Sequence, residues 1–372
     1  CTHESAFGIP VFPKRSMQRG ENMAGITYKC PNCGAYLTFD PETQQWKCPF
    51  CSSAFPESEL KGKAEAFQNE AEKEAKEPSS GAQVVYHCPS CGSEIMTDET
   101  TVATHCYYCH SPVVLQGKLT ADMKPDEVLP FTIGREKAIE EISEWIRTRK
   151  FVPKKFFSKA QIQEMSGVYY PHFVSECQTE GVLDGEATTS DVFDEGKYVV
   201  TNTRHYHVRR EGRFVFKDIL RPALSKANRK LTEGVHPFPL ENAKPFSGAF
   251  LSGFLAERRD LEADSYRQEI EQELQGYMNS MLRDTASQYE TCSASTSSAM
   301  KNIKTKYVLL PTWVLTYPNK KNKDDPYYYV MNGCTGQVCG KLPVDQGRLW
   351  RHGLLAGLIV AALFCVLAYF LF

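Results

Sequence analysis

The sequence contains no phosphate loop of the G-x4-G-K-[ST] type, no G-x-G-x2-G, no H-E-x2-H and no G-x-S-x-G. The familiar signatures of nucleotide hydrolysis, dinucleotide binding, zinc proteolysis and serine hydrolysis are therefore missing. Charge imbalance is missing too: 43 Lys+Arg face 45 Asp+Glu, a formal net charge of -2. Nothing in that total demands a polyanionic partner. Residues 1–29 lack an apolar stretch long enough for a secretory signal. What remains is a chain of 372 residues, 42% apolar and 12% aromatic, a globular composition suited to two or three domains.

Cysteine, by contrast, is plentiful and patterned. Residues 30–51 read CPNCGAYLTFDPETQQWKCPFC, and residues 88–109 read CPSCGSEIMTDETTVATHCYYC. Each is a C-x2-C pair, fourteen residues, and a second C-x2-C pair. A C-x2-C turn points two sulfurs at one place, and two such turns complete a tetrahedral thiolate cage. Pro31 and Gly34, repeated as Pro89 and Gly92, suit such a turn, because proline stiffens it and glycine tolerates positive φ. Two structural metal sites are expected, Cys30, Cys33, Cys48 and Cys51 in one and Cys88, Cys91, Cys106 and Cys109 in the other. Zinc suits such cages; iron is the alternative for soft thiolates. A four-thiolate site leaves no position for substrate, and its binding energy, about 10 kcal/mol or more, is largely folding energy. His87, His105 and His110 flank the second frame and read as solvated neighbours of a full cage.

One apolar run stands out. GLLAGLIVAALFCVLAYFLF, residues 353–372, is twenty residues without a charge, enough to cross a hydrocarbon core of about 30 Å. Arg348, Trp350, Arg351 and His352 precede it, the flank expected at a cytoplasmic boundary. The bulk of the chain is then expected in the cytosol, where thiols stay reduced and available to metal. QRGENMAG around Met23 suggests that residues 1–23 are a non-native or disordered leader. Residues 57–81 are charged and Ala-rich, a helical linker between two small zinc-ribbon units at 24–56 and 82–116.

Residues 117–346 read as an α+β domain with an internal duplication, its halves at about 128–235 and 236–346. REKAIEEISEWIRTRK (135–150) sets Ile139, Ile142 and Ile146 at helical spacing; GVYYPHFVSECQTEG (167–181) reads as strand and turn. The same order returns in LEADSYRQEIEQELQGYMNSML (261–282), with Tyr266, Ile270, Leu274, Tyr277 and Met281 on one face, and in YVLLPTWVLTYPNK (307–320). YYPHFV and LLPTWV match at Pro171 and Pro311. DPYYYVMNGCTGQVCGKLP (325–343) reads as a hairpin turning at Asn332-Gly333. The fold class expected is therefore two β-rich zinc ribbons, an α+β domain and one C-terminal transmembrane helix.

Two basic clusters are candidates for a polyanion surface, whether nucleic acid or anionic lipid. RTRKFVPKKFFSK contributes Arg147, Arg149, Lys150, Lys154, Lys155 and Lys159, interleaved with phenylalanines. Residues 197–230 hold ten Lys/Arg against two acids, with Arg209, Arg210 and Arg213 the candidates there. An ordinary solvated face, balanced by the acids of Glu257 to Glu273, explains the same pattern. Cys334 and Cys339, or His205 and His207, would matter for catalysis only by converging in a pocket.

The two cysteine frames, FLSGFLAERRDLEAD (250–264), LLPTWVLTY, YYYVMNGCTGQVCGKLP and the terminal apolar run together resemble bacterial membrane proteins described as transcription-factor-IIB-type zinc-ribbon proteins. The resemblance covers roughly residues 24–372. Members often carry names borrowed from the primosomal helicase, but this chain lacks the nucleotide loop that unwinding needs. The resemblance implies zinc and a membrane and little more about task. The function expected is a membrane-anchored cytosolic zinc-ribbon scaffold or adaptor, without catalytic activity, that binds a macromolecular partner, in the first place a protein. A membrane-tethered nucleic-acid binder and a thiol- or metal-dependent enzyme are the alternatives; no small-molecule substrate is indicated.

Overall fold

Backbone pairing starts at β1 (Met23–Ala24), which lies parallel to β5 (Val84–His87); β5 in turn pairs antiparallel with β6 (Glu94–Thr97). Between them in sequence, β2 (Thr38–Asp40), β3 (Gln45–Lys47) and β4 (Ala54–Phe55) make a second three-stranded sheet in that order. The computed structural model describes residues 23–24, 28–60, 84–87, 94–97, 100–105, 112–115, 123–153, 165–225, 227, 229–317 and 327–371. Cys88, Cys91, Cys106, Cys109, Lys154, Lys155, Lys159 and most of the 57–81 segment lie outside these residues.

Among the described residues the largest sheet has ten strands. Its members are β7 (Thr101–His105), β8 (Pro112–Val114), β9 (Glu127–Val128), β10 (Ser166–Glu195), β11 (Tyr198–Pro222), β12 (Lys244–Pro245), β13 (Leu255–Glu257), β14 (Thr291–Tyr317), β15 (Tyr327–Asn332) and β16 (Val338–Lys341). The path runs β12-β9-β14-β10-β13-β7-β8, with β11 on β10, β15 on β14 and β16 on β15. In sequence β7 and β8 flank the third and fourth cysteines of the second frame and belong to the main sheet, whereas β5 and β6, around its first pair, belong to the small sheet with β1.

Three strands are unusually long: β10 has 30 residues, β11 has 25 and β14 has 27. The sequence reading placed a turn near Thr179–Gly181, yet β10 passes straight through it. Its burial pattern explains how. From Gly167 to Phe173 every residue is buried, as expected of a strand covered on both faces. From Ser175 to Ala187 the odd-numbered residues Ser175, Cys177, Thr179, Leu183 and Ala187 are buried, while Glu176, Gln178 and Glu186 are exposed. That period of two marks a ribbon covered on one face only.

The cover is helix. α1 (Arg135–Arg147) buries Ala138 and Ile142 and packs Ile139, Trp145 and Ile146 partly against the core. α2 (Arg267–Asp284) lies on the ribbon through Ile270, Leu274, Met278 and Leu282. Helical spacing in the sequence also sets Tyr277 and Met281 on that face, but both are exposed. The buried row runs at i, i+4, i+8 and i+12, so Met278 and Leu282 take the contact positions. α3 (Gln346–Leu371) has 26 residues, about 39 Å at 1.5 Å per residue, and its large apolar side chains are exposed from Leu349 to Phe364. It is long and apolar enough to cross a membrane.

Candidate metal centre

Two equivalent turns build the first cage. The amide of Gly34 donates to the Cys30 carbonyl at 2.9 Å, and that of Ser52 donates to the Cys48 carbonyl at 2.9 Å. The Cys30 amide reaches the Ala35 carbonyl at 2.6 Å, and the Cys48 amide reaches the Ser53 carbonyl at 2.8 Å. In each turn the residue after the second cysteine has positive φ, 75° at Gly34 and 59° at Ser52. Glycine takes that conformation freely; serine accepts it because the two hydrogen bonds close the turn around it.

These turns bring four sulfurs within 4.8 Å of one another. Cys30 and Cys51 Sγ atoms lie 3.6 Å apart, and Cys33 and Cys48 Sγ atoms 3.4 Å apart. A tetrahedron with metal–sulfur bonds of about 2.3 Å has edges of about 3.8 Å, so the set fits a zinc-sized ion. Cys30 and Cys48 are buried, Cys33 and Cys51 exposed. The Ser53 hydroxyl, 3.2 Å from the Cys51 sulfur, and the Ser53 amide lower the Cys51 thiol to about 6. The Ala35 amide is the largest single influence on Cys33 and favours its ionised form, but the Cys48 sulfur, burial and the Cys51 and Cys30 sulfurs together outweigh it and the thiol sits at about 12. Four crowded sulfurs ionise together only with a cation among them. Ser53 has no counterpart in the cysteine spacing; its place two residues after Cys51 was the only available signal.

The cage is joined to the main domain by an aromatic wall. Phe39 and Trp46 have ring centroids 5.1 Å apart, and Phe250 lies 5.3 Å from one and 5.2 Å from the other. Phe39 continues to Phe254, which stacks on Phe131 at 4.3 Å. Ser252 donates its hydroxyl to the Leu37 carbonyl at 2.5 Å, and the Phe39 amide donates to the Ser252 carbonyl at 3.0 Å. The first frame is thus one wall of the principal core and not a free module.

Among the described residues the remaining candidates do not gather. Arg209 is ion-paired to Asp184 at 3.0 Å and to Glu211 at 2.5 Å, and Arg213 to Glu180 at 3.2 Å. Arg210 turns onto the carbonyl of Arg209. Arg147 bonds back to the Ser143 carbonyl, Arg149 lies over the Trp145 ring at 4.9 Å, and Lys150 is exposed. His205 and His207 are exposed on β11, with His207 3.1 Å from Asp184. Cys334 and Cys339 pack against an apolar cluster, and burial pushes the Cys334 thiol up to about 12 and raises that of Cys339.

No family model matches the chain, and no solved structure matches it. A relative from Bacillus subtilis (strain 168), the uncharacterized protein YdjG, is 29% identical over 344 residues. The match covers 90% of this chain and 96% of that protein, so the similarity runs through most of both and is not confined to the cysteine turns.

Proposed function

We propose that the protein is a membrane-anchored zinc-ribbon scaffold that presents its folded head to a macromolecular partner on the cytosolic side. The observation that carries this reading is the first cysteine cage, whose four sulfurs are mutually close and whose strands are fused to the main core. A closed thiolate site stabilises a surface and leaves no ligand position for turnover. Zinc is the metal this donor set favours, being satisfied by tetrahedral sulfur without redox cycling. The second frame, with identical spacing, holds a second ion of the same kind.

α3 supplies the anchor in this reading, with Trp350 and Arg351 at its cytosolic boundary. The kinship with transcription-factor-IIB-type zinc-ribbon membrane proteins rests on the same residues. The duplication is supported by Pro171 and Pro311, which sit symmetrically about the Tyr170–Leu310 pair. Each proline carbonyl also accepts a later amide at 2.9 Å, from Ala223 and Gly333 respectively.

The test is fractionation of the full chain against a variant lacking residues 348–372. The anchored scaffold partitions with membranes and the truncated form with the soluble fraction. A truncated form that still pellets would place membrane attachment elsewhere in the head.

A further inference from the structure

Among the described residues β11 pairs only with β10, so its other edge presents unpaired backbone groups along 25 residues. Folded proteins usually blunt such an edge with charge. From Arg204 onward β11 does so, through Arg204, Arg209, Arg210, Arg213 and Lys217. Tyr198–Thr203, reading YVVTNT, does not: it carries no charge and is β-branched or aromatic except at Asn202.

The protection fails at the same place in two other respects. β14 begins pairing with β10 at Thr188↔Thr291, so the hairpin beyond that pair is two-stranded. The apolar row that joins α2 to the ribbon ends around Leu183, Ala187, Val208, Leu282 and Ala286. Phe193, paired with Val200, and Tyr198 continue that face uncovered beside the charged Asp191 and Glu195, with Phe193 49% and Tyr198 77% exposed; Val199, on the other face, is 70% exposed. A two-stranded hairpin with exposed apolar side chains on both faces is marginal alone and gains by acquiring further strands.

We propose that this hairpin end is a docking surface for a second copy of the chain. Tyr198–Asn202 of one copy pairs antiparallel with the same residues of the other, about a two-fold axis through Val200. Tyr198 then stands opposite Asn202, Val199 opposite Thr201, and Val200 opposite itself; both Phe193 rings fall on one face of a four-stranded sheet. No charge opposes another in this register: Lys197 meets Thr203, and Arg204, already paired to its own Asp191 at 2.9 Å, meets Gly196. Sliding the pairing further down β11 sets arginines against arginines, which is unfavourable for directly opposed residues. The charge pattern therefore selects this stretch and an uncharged, self-matching partner. The contact is smaller than the ~800 Å² per partner of a standard interface, so it is reversible and concentration-dependent.

Sedimentation equilibrium of the full chain in detergent micelles tests this. The expected result is a monomer–dimer equilibrium that weakens about tenfold or more in Val200→Lys, which opposes two lysines across the axis. Thr201→Lys, on the other face of the hairpin, sets a lysine against Val199 of the other copy; it also weakens the dimer and guards against a local folding defect at Val200. A wild-type protein that stays monomeric overturns the proposal, as does a dimer that survives both substitutions. If that surviving dimer falls apart in Gly357→Leu, the contact lies along α3 instead.

Discussion

The indole N–H of Trp46 donates to the Ala249 carbonyl at 2.8 Å, tying the first cysteine frame to a segment 203 residues further along the chain. Both partners are buried, so the bond and the ring packing around it act on the main core and on the metal site together. Replacing Trp46 by Ala is expected to cost about 3–5 kcal/mol, and Trp46→Phe about 1–3 kcal/mol for the stranded carbonyl. Urea unfolding followed by far-ultraviolet circular dichroism reads both, and the loss appears in the transition of the whole head.

Removing the ligands rather than the wall has a related consequence. Cys30→Ser with Cys33→Ser is expected to lower the melting temperature of the main domain, because the cage holds Leu37, Phe39 and Trp46 in that core. A main-domain melt unchanged in the double variant, with metal lost, would show that the frame folds independently.

His172 gives the head a defined response to acid. Its Nδ1 pairs with the Tyr170 carbonyl at 3.2 Å, so the proton sits there, and Nε2 has no partner among the described residues. Burial, with a smaller contribution from His236, pushes the imidazole down to about 4. Below an unfolded value near 6.5 the unfolded chain binds a proton that the folded chain refuses. Stability contributed by neutral His172 is therefore complete above about pH 6.5, falls between there and about pH 4, and then levels, a loss of roughly 3 kcal/mol. Unfolding free energies of wild type and His172→Phe, measured across that window, should converge by this amount on acidification. Parallel curves would show that His172 titrates normally.

Gly185 tests the register of the long ribbon. A Cβ there would lie 2.3 Å from the Ser293 carbonyl oxygen and 2.4 Å from the Ala294 Cα, both backbone atoms with no freedom to yield. Gly185→Ala is expected to destabilise by about 2–3 kcal/mol, as overpacking commonly does. A variant melting with the wild type would mean that β10 and β14 are not paired Gly185↔Ala294.

How much of this could be read without coordinates depends on which physical signal each feature carries. The first cage was legible because C-x2-C turns are a local geometry: spacing alone places the sulfurs. The docking of that frame was not, because Phe39 and Trp46 look the same whether they fill a ribbon's own core or another domain's. The helices were found from Ile142, Ile270 and Leu274, whereas Tyr277 and Met281 were set on the wrong face. The choice between neighbouring helical rows depends on what the helix packs against, which spacing along the helix does not carry. The ribbon was the largest omission. Ser175–Ala187 alternates weakly, since Thr179, Gly181 and Gly185 occupy inward positions without strong apolarity, and Thr-Glu-Gly resembles a turn.

Metal content decides the central point most directly. Purified full-length protein and a Cys48→Ser variant, grown without added zinc and compared by mass spectrometry of bound metal, should both contain zinc, the variant one equivalent less. Iron in the wild type, or equal metal in the two proteins, would contradict a zinc cage at Cys30, Cys33, Cys48 and Cys51.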